Sequence, residues 1–323
     1  MFINVIIPST LNKTIKPHVT RCIHSLLKSS RSAKIKIRIF VVTTKNKTSP
    51  QLSVKNVDTV IQAPNQAGFA EMNNKAIKQT IHSYPANYYL LINDDAWIAT
   101  TFFKEFKKIS GSPDFIIPLV CKKNKKQIDS FGGEYFNSGY AKKSTGLKNP
   151  TTVAPASCLL IKTEFLKRLK KIYGYIFNPI LHYYHEDVDL SIRACAVGTK
   201  MLKVKSMIAF HMGSTTSGKK SYFVMYHSYR NIIWVMIMNW PIKTLIRNLS
   251  NIILVQTWAI LYSCIKYGPV LYLGIFLDTY KHSSELVTYR RKNLGSFPQG
   301  FEFYSVLSKY AFRTRQGWKI KFF

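Results

Sequence analysis

Over residues 2–92, short apolar runs alternate with segments of helical spacing. Residues 2–7 form an apolar run closed by Pro8 and Ser9, which predicts a buried parallel strand. Val19, Cys22, Ile23, Leu26 and Leu27 recur at helical spacing and predict a helix over 18–28. Further strands are predicted at 35–42, 57–62 and 88–92. Met72, Ala76, Ile77 and Thr80 mark one side of a helix over 71–83. Residues 43–50 read as a polar turn and 65–70 as a loop. Alternating strands and helices predict an α/β sheet with mostly parallel pairing. In such sheets ligands bind beyond the carboxyl ends of the strands. Pro8, the 65–68 loop and Asn93-Asp94-Asp95 all lie at strand ends, so they are expected on one rim.

The pattern continues with a helix over 101–110, a strand over 115–121, a solvated Lys run at 122–126 and an irregular stretch between 129 and 146. A strand at 156–161 and a basic helix at 163–171 lead to residues 182–213. There Glu186, Asp187 and Asp189 open a helix with Leu190 and Ala194 on one face. Gly198 ends that helix, and a strand over 201–210 delivers His211. A helix cap followed by a loop His accounts for these residues as well as a pocket does.

Beyond Gly213 the character changes. Residues 222–240 are rich in Tyr, Trp, Met and Ile, with Arg230-Asn231 embedded, and 252–277 are apolar but broken by Gln256, Lys266, Gly268 and Pro269. Neither piece reaches the roughly 20 uninterrupted apolar residues of a spanning helix. Trp258, Tyr262, Tyr267 and Tyr272 suit a helix lying in the headgroup layer; the alternatives are a helical layer on the sheet or a hairpin dipping into the bilayer. The tail from Lys281 is basic.

Composition sharpens this picture. The chain has 47 Lys and Arg against 15 Asp and Glu, a net charge of +32. Such a balance points to polyanionic surroundings or to a Lys-rich composition as such. In so basic a chain, three acids within 186–189 stand out. A nucleic-acid-binding role is not expected, because acids at two strand ends would repel phosphate. A nucleotidyltransferase would carry a Gly-rich basic loop after the first strand, and Pro8-Ser9-Thr10 is not one. The five Cys show no metal spacing and read as reduced, mostly buried thiols of a cytosolic compartment; no signal peptide is visible. Carboxylates at 94–95 suit a hard divalent cation that grips a diphosphate, and Asp187 is the candidate base toward an incoming hydroxyl. His211 either completes the metal sphere or is an ordinary loop His.

Val5-Ile6-Ile7-Pro8-Ser9, then Asn65-Gln66-Ala67-Gly68-Phe69-Ala70 with Asn73-Asn74, then Leu91-Ile92-Asn93-Asp94-Asp95, then Glu186-Asp187-Val188-Asp189-Leu190 with Arg193 and Gly198, then His211-Met212-Gly213, occur in an order that resembles family 2 glycosyltransferases of the GT-A fold. With Tyr229-Arg230-Asn231 it looks most like the bacterial rhamnosyltransferase-like branch. The resemblance covers about residues 2–290. It implies a Rossmann-like, mostly parallel sheet over 1–218, with a nucleotide-sugar half to about 100 and an acceptor half beyond. Residues 219–323 would be a basic, amphipathic helical, membrane-associated extension.

The resemblance further implies inverting transfer of one sugar from a nucleotide-sugar donor to a lipid-linked or cell-envelope glycan acceptor. The enzyme would sit on an anionic membrane surface, at the cytoplasmic face, peripheral or monotopic. Asp187 would be the general base with Glu186 beside it. Asp95, Asn93 and His211 would hold Mn or Mg. Pro8, Ser9, Thr43, Asn65, Gly68, Asn73, Asp94 and Arg193 would line the donor site. The family's nucleobase-contacting Asp after the second strand is absent: the residues are Val41-Val42-Thr43-Thr44-Lys45-Asn46. The Gln-x-x-Arg-Trp motif of processive members is also absent, which favours single transfer.

Overall fold

The fold is taken from a computed structural model that describes residues 1–12, 14–44, 56–124, 127–147, 149–213, 221–313 and 319–320. The polar turn after Thr44, part of the 122–126 Lys run and most of the basic tail beyond Arg313 lie outside the described residues.

Its elements in order are β1 Phe2–Pro8, α1 Lys16–Ala33, β2 Lys36–Thr44, β3 Thr59–Ala63, α2 Phe69–Thr80, β4 Tyr88–Ile92, β5 Ala96–Ile98, α3 Phe102–Lys107, β6 Phe115–Lys122, β7 Ile128–Ser130, β8 Gly133–Tyr135, β9 Ala141–Lys143, β10 Cys158–Lys162, α4 Thr163–Tyr173, α5 Glu186–Ala196 and β11 Met201–His211. Five helices follow: α6 Tyr222–Asn239, α7 Ile242–Arg247, α8 Leu249–Tyr267, α9 Val270–Lys281 and α10 Ser283–Gly295.

The main sheet runs β3-β2-β1-β4-β10-β6-β11-β5, with β7 beside β6. β1 pairs in parallel with β2 and β4, and β6 with β11, while β10 is antiparallel to both β4 and β6. β1, β4 and β10 are fully buried over most of their length because helices cover both faces. One layer packs α2, α4 and α5 against the sheet, and the other packs α1 and α3. The expected α/β class holds, with the antiparallel β10 and the short β5 as additions.

α2 begins two residues earlier than its periodicity predicts. The Glu71 carboxylate reaches back to accept from the Gly68 N–H, which satisfies an otherwise orphaned donor at the helix start.

The C-terminal helices divide their roles. α6 shares a core with α5 through Val188, Ile192, Ile232, Trp234 and Val235. The outer sides of α7, α8 and α9 instead stay exposed. Residues 252–277 were expected to fall short of a spanning length. Among the described residues, α8 is long and apolar enough to cross a bilayer by length and composition, and only 17% of its apolar window is buried. The helix runs through Gln256 and Lys266, whose side chains interrupt the apolar pattern without breaking the backbone, and it stops only at Gly268-Pro269.

Candidate active site

A cavity of about 800 Å³ opens at the carboxyl ends of β1 and β4. Pro8, Ser9, Asn93, Asp94 and Asp95 line one side, and Glu186, Asp187 and His211 also reach it. The two acidic clusters therefore share one cleft, although about ninety residues of chain separate them. Chain reversal through β10 and α5 does this: Ser157, just before β10, accepts from the Asn93 backbone N–H at 3.1 Å, and α5 points its N-terminus into the same space.

On the first side, His211 sits between carboxylates. Its Nε2 lies 3.1 Å from Asp95 Oδ1 and 3.3 Å from Asn93 Nδ2, and its Nδ1 lies 3.1 Å from Asp129 Oδ2. Asp129 also pairs with Lys143 at 3.1 Å. Burial alone would lower the His211 pKa, but the hydrogen bonds to Asp129 and Asp95 outweigh it and raise it. Burial pushes Asp94 up to about 6, the charge of Asp95 adds to the rise, and a hydrogen bond from Ser9 opposes it.

Among the described residues, no group of three or more His, Cys, Asp or Glu side chains is arranged to hold a metal ion alone. Asp95 and His211 nevertheless supply the oxygen and imidazole donors that a divalent cation accepts, and a diphosphate supplies further oxygens. At such sites a ligating His usually has its far nitrogen tied to a carboxylate, which fixes the ring's orientation. The residues fit a cation bound jointly with a diphosphate.

On the second side, burial raises the Glu186 carboxyl well above its ordinary range, and the neighbouring Asp187 raises it further. Asp187 is also raised by burial, but it accepts a hydrogen bond from the Ala156 N–H at 3.3 Å. Glu186 Oε2 has no such partner. The pair thus favours a proton on Glu186 and a charge on Asp187, which is the form a general base needs. Burial also pulls His185, just before the pair, down to about 4, so its imidazole is neutral near pH 7.

The turn that delivers this pair has unusual backbone geometry. His182, Tyr184 and His185 have φ of 52°, 66° and 64°, values that non-glycine residues seldom adopt. Such outliers persist only when the surroundings enforce them. The N-terminal end of α2 does so from one side. The Ala70 N–H donates to the His182 carbonyl at 3.1 Å, and His182 Nδ1 meets Glu71 Oε2 at 3.0 Å. Gly68 permits this approach, since a Cβ there would lie 2.4 Å from the His182 carbonyl oxygen.

Several expected donor-site residues take other places. Arg193 is corrected: it is fully buried and does not line the cavity. Its guanidinium pairs with Asp189, one helical turn away on the side of α5 that faces the core. Asn73 is fully buried, bonds the Phe69 carbonyl at 2.8 Å within α2, and is also absent from the lining. Asn65 is exposed on its turn, and Gly68 packs against His182. Thr43 is buried at the end of β2, outside the cavity lining. Lys45 and Asn46 lie outside the described residues. The sequence reading missed Asp129. The available clue was an acid just after a Lys run in a chain with few acids.

No protein-family model matches the sequence, and no curated protein matches it. Solved structures do match. GalNAc-T7 with UDP, GalNAc and Mn2+ aligns with a TM-score of 0.57 at 12% identity, over 92% of this chain and 58% of that one. S. aureus TarS 1-349 in complex with UDP aligns at 0.51 with 16% identity, over 96% and 84%. The mannosyltransferase PcManGT from Pyrobaculum calidifontis with GDP-Man and Mn2+ aligns at 0.50 with 11% identity, over 91% and 85%. The chain spans less than two thirds of the length of GalNAc-T7. At these identities the likeness defines the fold, which is GT-A.

Proposed function

We propose that this chain is an inverting glycosyltransferase that moves a single sugar from a nucleotide-diphosphate sugar to a hydroxyl of a lipid-linked or cell-envelope acceptor. The observation that carries the reading is the meeting of Asp95–His211 and Glu186–Asp187 in one cavity. Similarity of fold to structures solved with UDP or GDP-Man supports it. The order of motifs supports placement in family 2, in the rhamnosyltransferase-like branch.

Asp95 and His211 would hold the cation, Mn or Mg, with Asn93 beside them. When bound, such an ion neutralises charge developing on the departing diphosphate. Asp187 takes the proton of the acceptor hydroxyl as its oxygen bonds to the anomeric carbon and the diphosphate leaves with the electrons of the broken bond. Attack from the face opposite the leaving group gives inversion. Glu186, holding its own proton, can donate to a hydroxyl or phosphate oxygen in the cleft. Ser9 and Pro8 line the donor side.

The test is a screen of UDP-, GDP- and dTDP-sugars with Mn or Mg, read as nucleoside diphosphate release. In Asp95→Ala the half-saturating metal concentration should rise by more than the about 10–100-fold that loss of an outer-shell partner costs. An unchanged metal titration would remove Asp95 from the site.

The membrane reading rests on the outer sides of α7–α9. Ile265 is 88% exposed, Phe276 69% and Trp258 65%, with Ile242, Ile246, Leu261 and Leu273 also exposed. Soluble monomers rarely show so many large apolar side chains together. Exposed Lys243, Arg247, Lys266 and Lys281 accompany them, each contributing about 1 kcal/mol near an anionic headgroup layer. These side chains support the peripheral or monotopic seat that we propose at the cytoplasmic face. Ile265→Asp with Phe276→Asp should abolish flotation with phosphatidylglycerol vesicles. Undiminished flotation of a folded double variant would refute this seat.

A further inference from the structure

The turn that leads into Glu186 and Asp187 is held on its second side by hydrogen bonds from α6. Asn231 of α6 is fully buried. Its Nδ2 lies 2.8 Å from each of three carbonyl oxygens, those of Leu181, Tyr183 and Tyr184. These carbonyls flank and include the positive-φ residues His182 and Tyr184. Tyr183, Tyr184 and His185 meanwhile line the cavity. One amide nitrogen thus gathers a backbone turn whose residues line the cavity.

The orientation of that amide is itself fixed. Arg230 Nε donates to Asn231 Oδ1 at 3.0 Å, which turns Nδ2 toward the carbonyls. Arg230 is held in turn by Asp278 of α9 at 2.8 Å and lies over the Trp234 ring at 4.1 Å. A path of direct polar contacts therefore runs from α9, whose outer side is exposed, through Arg230 and Asn231 to the turn before Asp187.

We propose that Asn231 is a positioning residue for the transfer reaction, fixing the 181–185 turn so that Asp187 and Glu186 face the cleft, with Arg230 setting its orientation. It does not touch the reacting atoms. The chemistry requires an NH2 group at this place. A carboxylate of the same shape would set negative charge against three carbonyl oxygens.

The proposal rests on the transferase reading for its kinetic test and stands apart from it for its structural one. Asn231→Asp is the isosteric variant, and Asn231→Ala is the second in case the first does not fold; cooperative thermal melting selects the usable one. Deuterium exchange at the amides of 182–188 should accelerate in the folded variant, while exchange in β1 and β4 stays unchanged. With a donor found in the nucleotide-sugar screen, kcat should fall by about 10²-fold, the cost of a displacement of about 1 Å at a reacting group, while donor KM changes by less than about twofold. Arg230→Lys, which keeps a cation for Asp278 but loses the Nε contact, should show the same split in weaker form. Unchanged exchange at 182–188, or a wild-type kcat in the Asn231 variants, would overturn the assignment. If the wild-type protein releases nucleotide from no donor, the transferase reading fails, and the exchange result alone decides whether Asn231 holds the turn.

Discussion

Asp187→Asn should lower kcat by about 10²–10⁴-fold, the range that a positioned general base contributes, and leave donor affinity nearly unchanged. The amide keeps the size of the carboxylate and can still accept from the Ala156 N–H, so the start of α5 stays intact. It has lost the basic oxygen. The wild-type pH profile should report the same group. Burial raises both Asp187 and Glu186, so protons bind there at a higher pH than to ordinary carboxylates. A base that must be ionised is lost as pH falls. The acid limb of kcat/KM should therefore lie above the ordinary carboxylate range of about 4. Steady-state kinetics with titration of donor binding measures both points. Turnover at the wild-type rate in Asp187→Asn would assign the base elsewhere.

The parts of this site that could be read from the sequence were those fixed by local pattern. Buried strands such as 2–7 and 88–92 showed themselves as apolar runs, and the residue just past each marks the rim. The acids were visible because the chain has so few. What depended on long-range pairing was not visible. β5 has three residues, too few for any periodicity, yet it pairs with the end of β11 and brings Ala96 beside His211. Asp129 acquires its role because β7 folds back along β6, the neighbour of β11. Asn231 could be noticed as polar within an apolar helix, but its carbonyl partners lie about fifty residues earlier. The reversed direction of β10, which closes the cleft, has no local signal at all.

Gly68 shows the same limit from another direction. The motif suggested contact with the donor. Its φ of −79° is open to any residue, so conformational freedom is not what the position requires. The requirement is space, because the His182 backbone passes where a side chain would stand. The α2 end and the Asn231 amide grip the 181–185 turn from opposite sides. That double hold lets three departures from ordinary backbone, at His182, Tyr184 and His185, persist beside Glu186 and Asp187.

Arg193→Ala should destabilise the fold by about 3–5 kcal/mol, the usual result of stripping the partner from a buried charge. Arg193 and Asp189 are both fully buried. The guanidinium gives two hydrogen bonds to Asp189 Oδ2, at 2.9 and 2.6 Å, and one to the Ile176 carbonyl at 2.6 Å. It also lies 4.5 Å from the Tyr175 ring and 5.0 Å from that of Tyr173. Burial opposes the charge on Arg193, but Asp189 outweighs it and the net pKa is raised. Asp189 Oδ1 accepts from Asn239 of α6, and Asn239 accepts from Asn293 of α10, so the pair also fastens the C-terminal helices to α5. Their i,i+4 spacing was the sequence-level sign that they serve each other. Against a total stability of about 5–15 kcal/mol, such a loss is a large share. It should lower Tm by about 6–20 °C at 2–4 °C per kcal/mol. Arg193→Met combined with Asp189→Leu removes both charges and should recover much of the loss, because a buried pair exchanged for apolar groups is often neutral. Urea or thermal midpoints decide it. A single variant melting within about 2 °C of wild type, less than 1 kcal/mol on the same scale, would show that the pair contributes little.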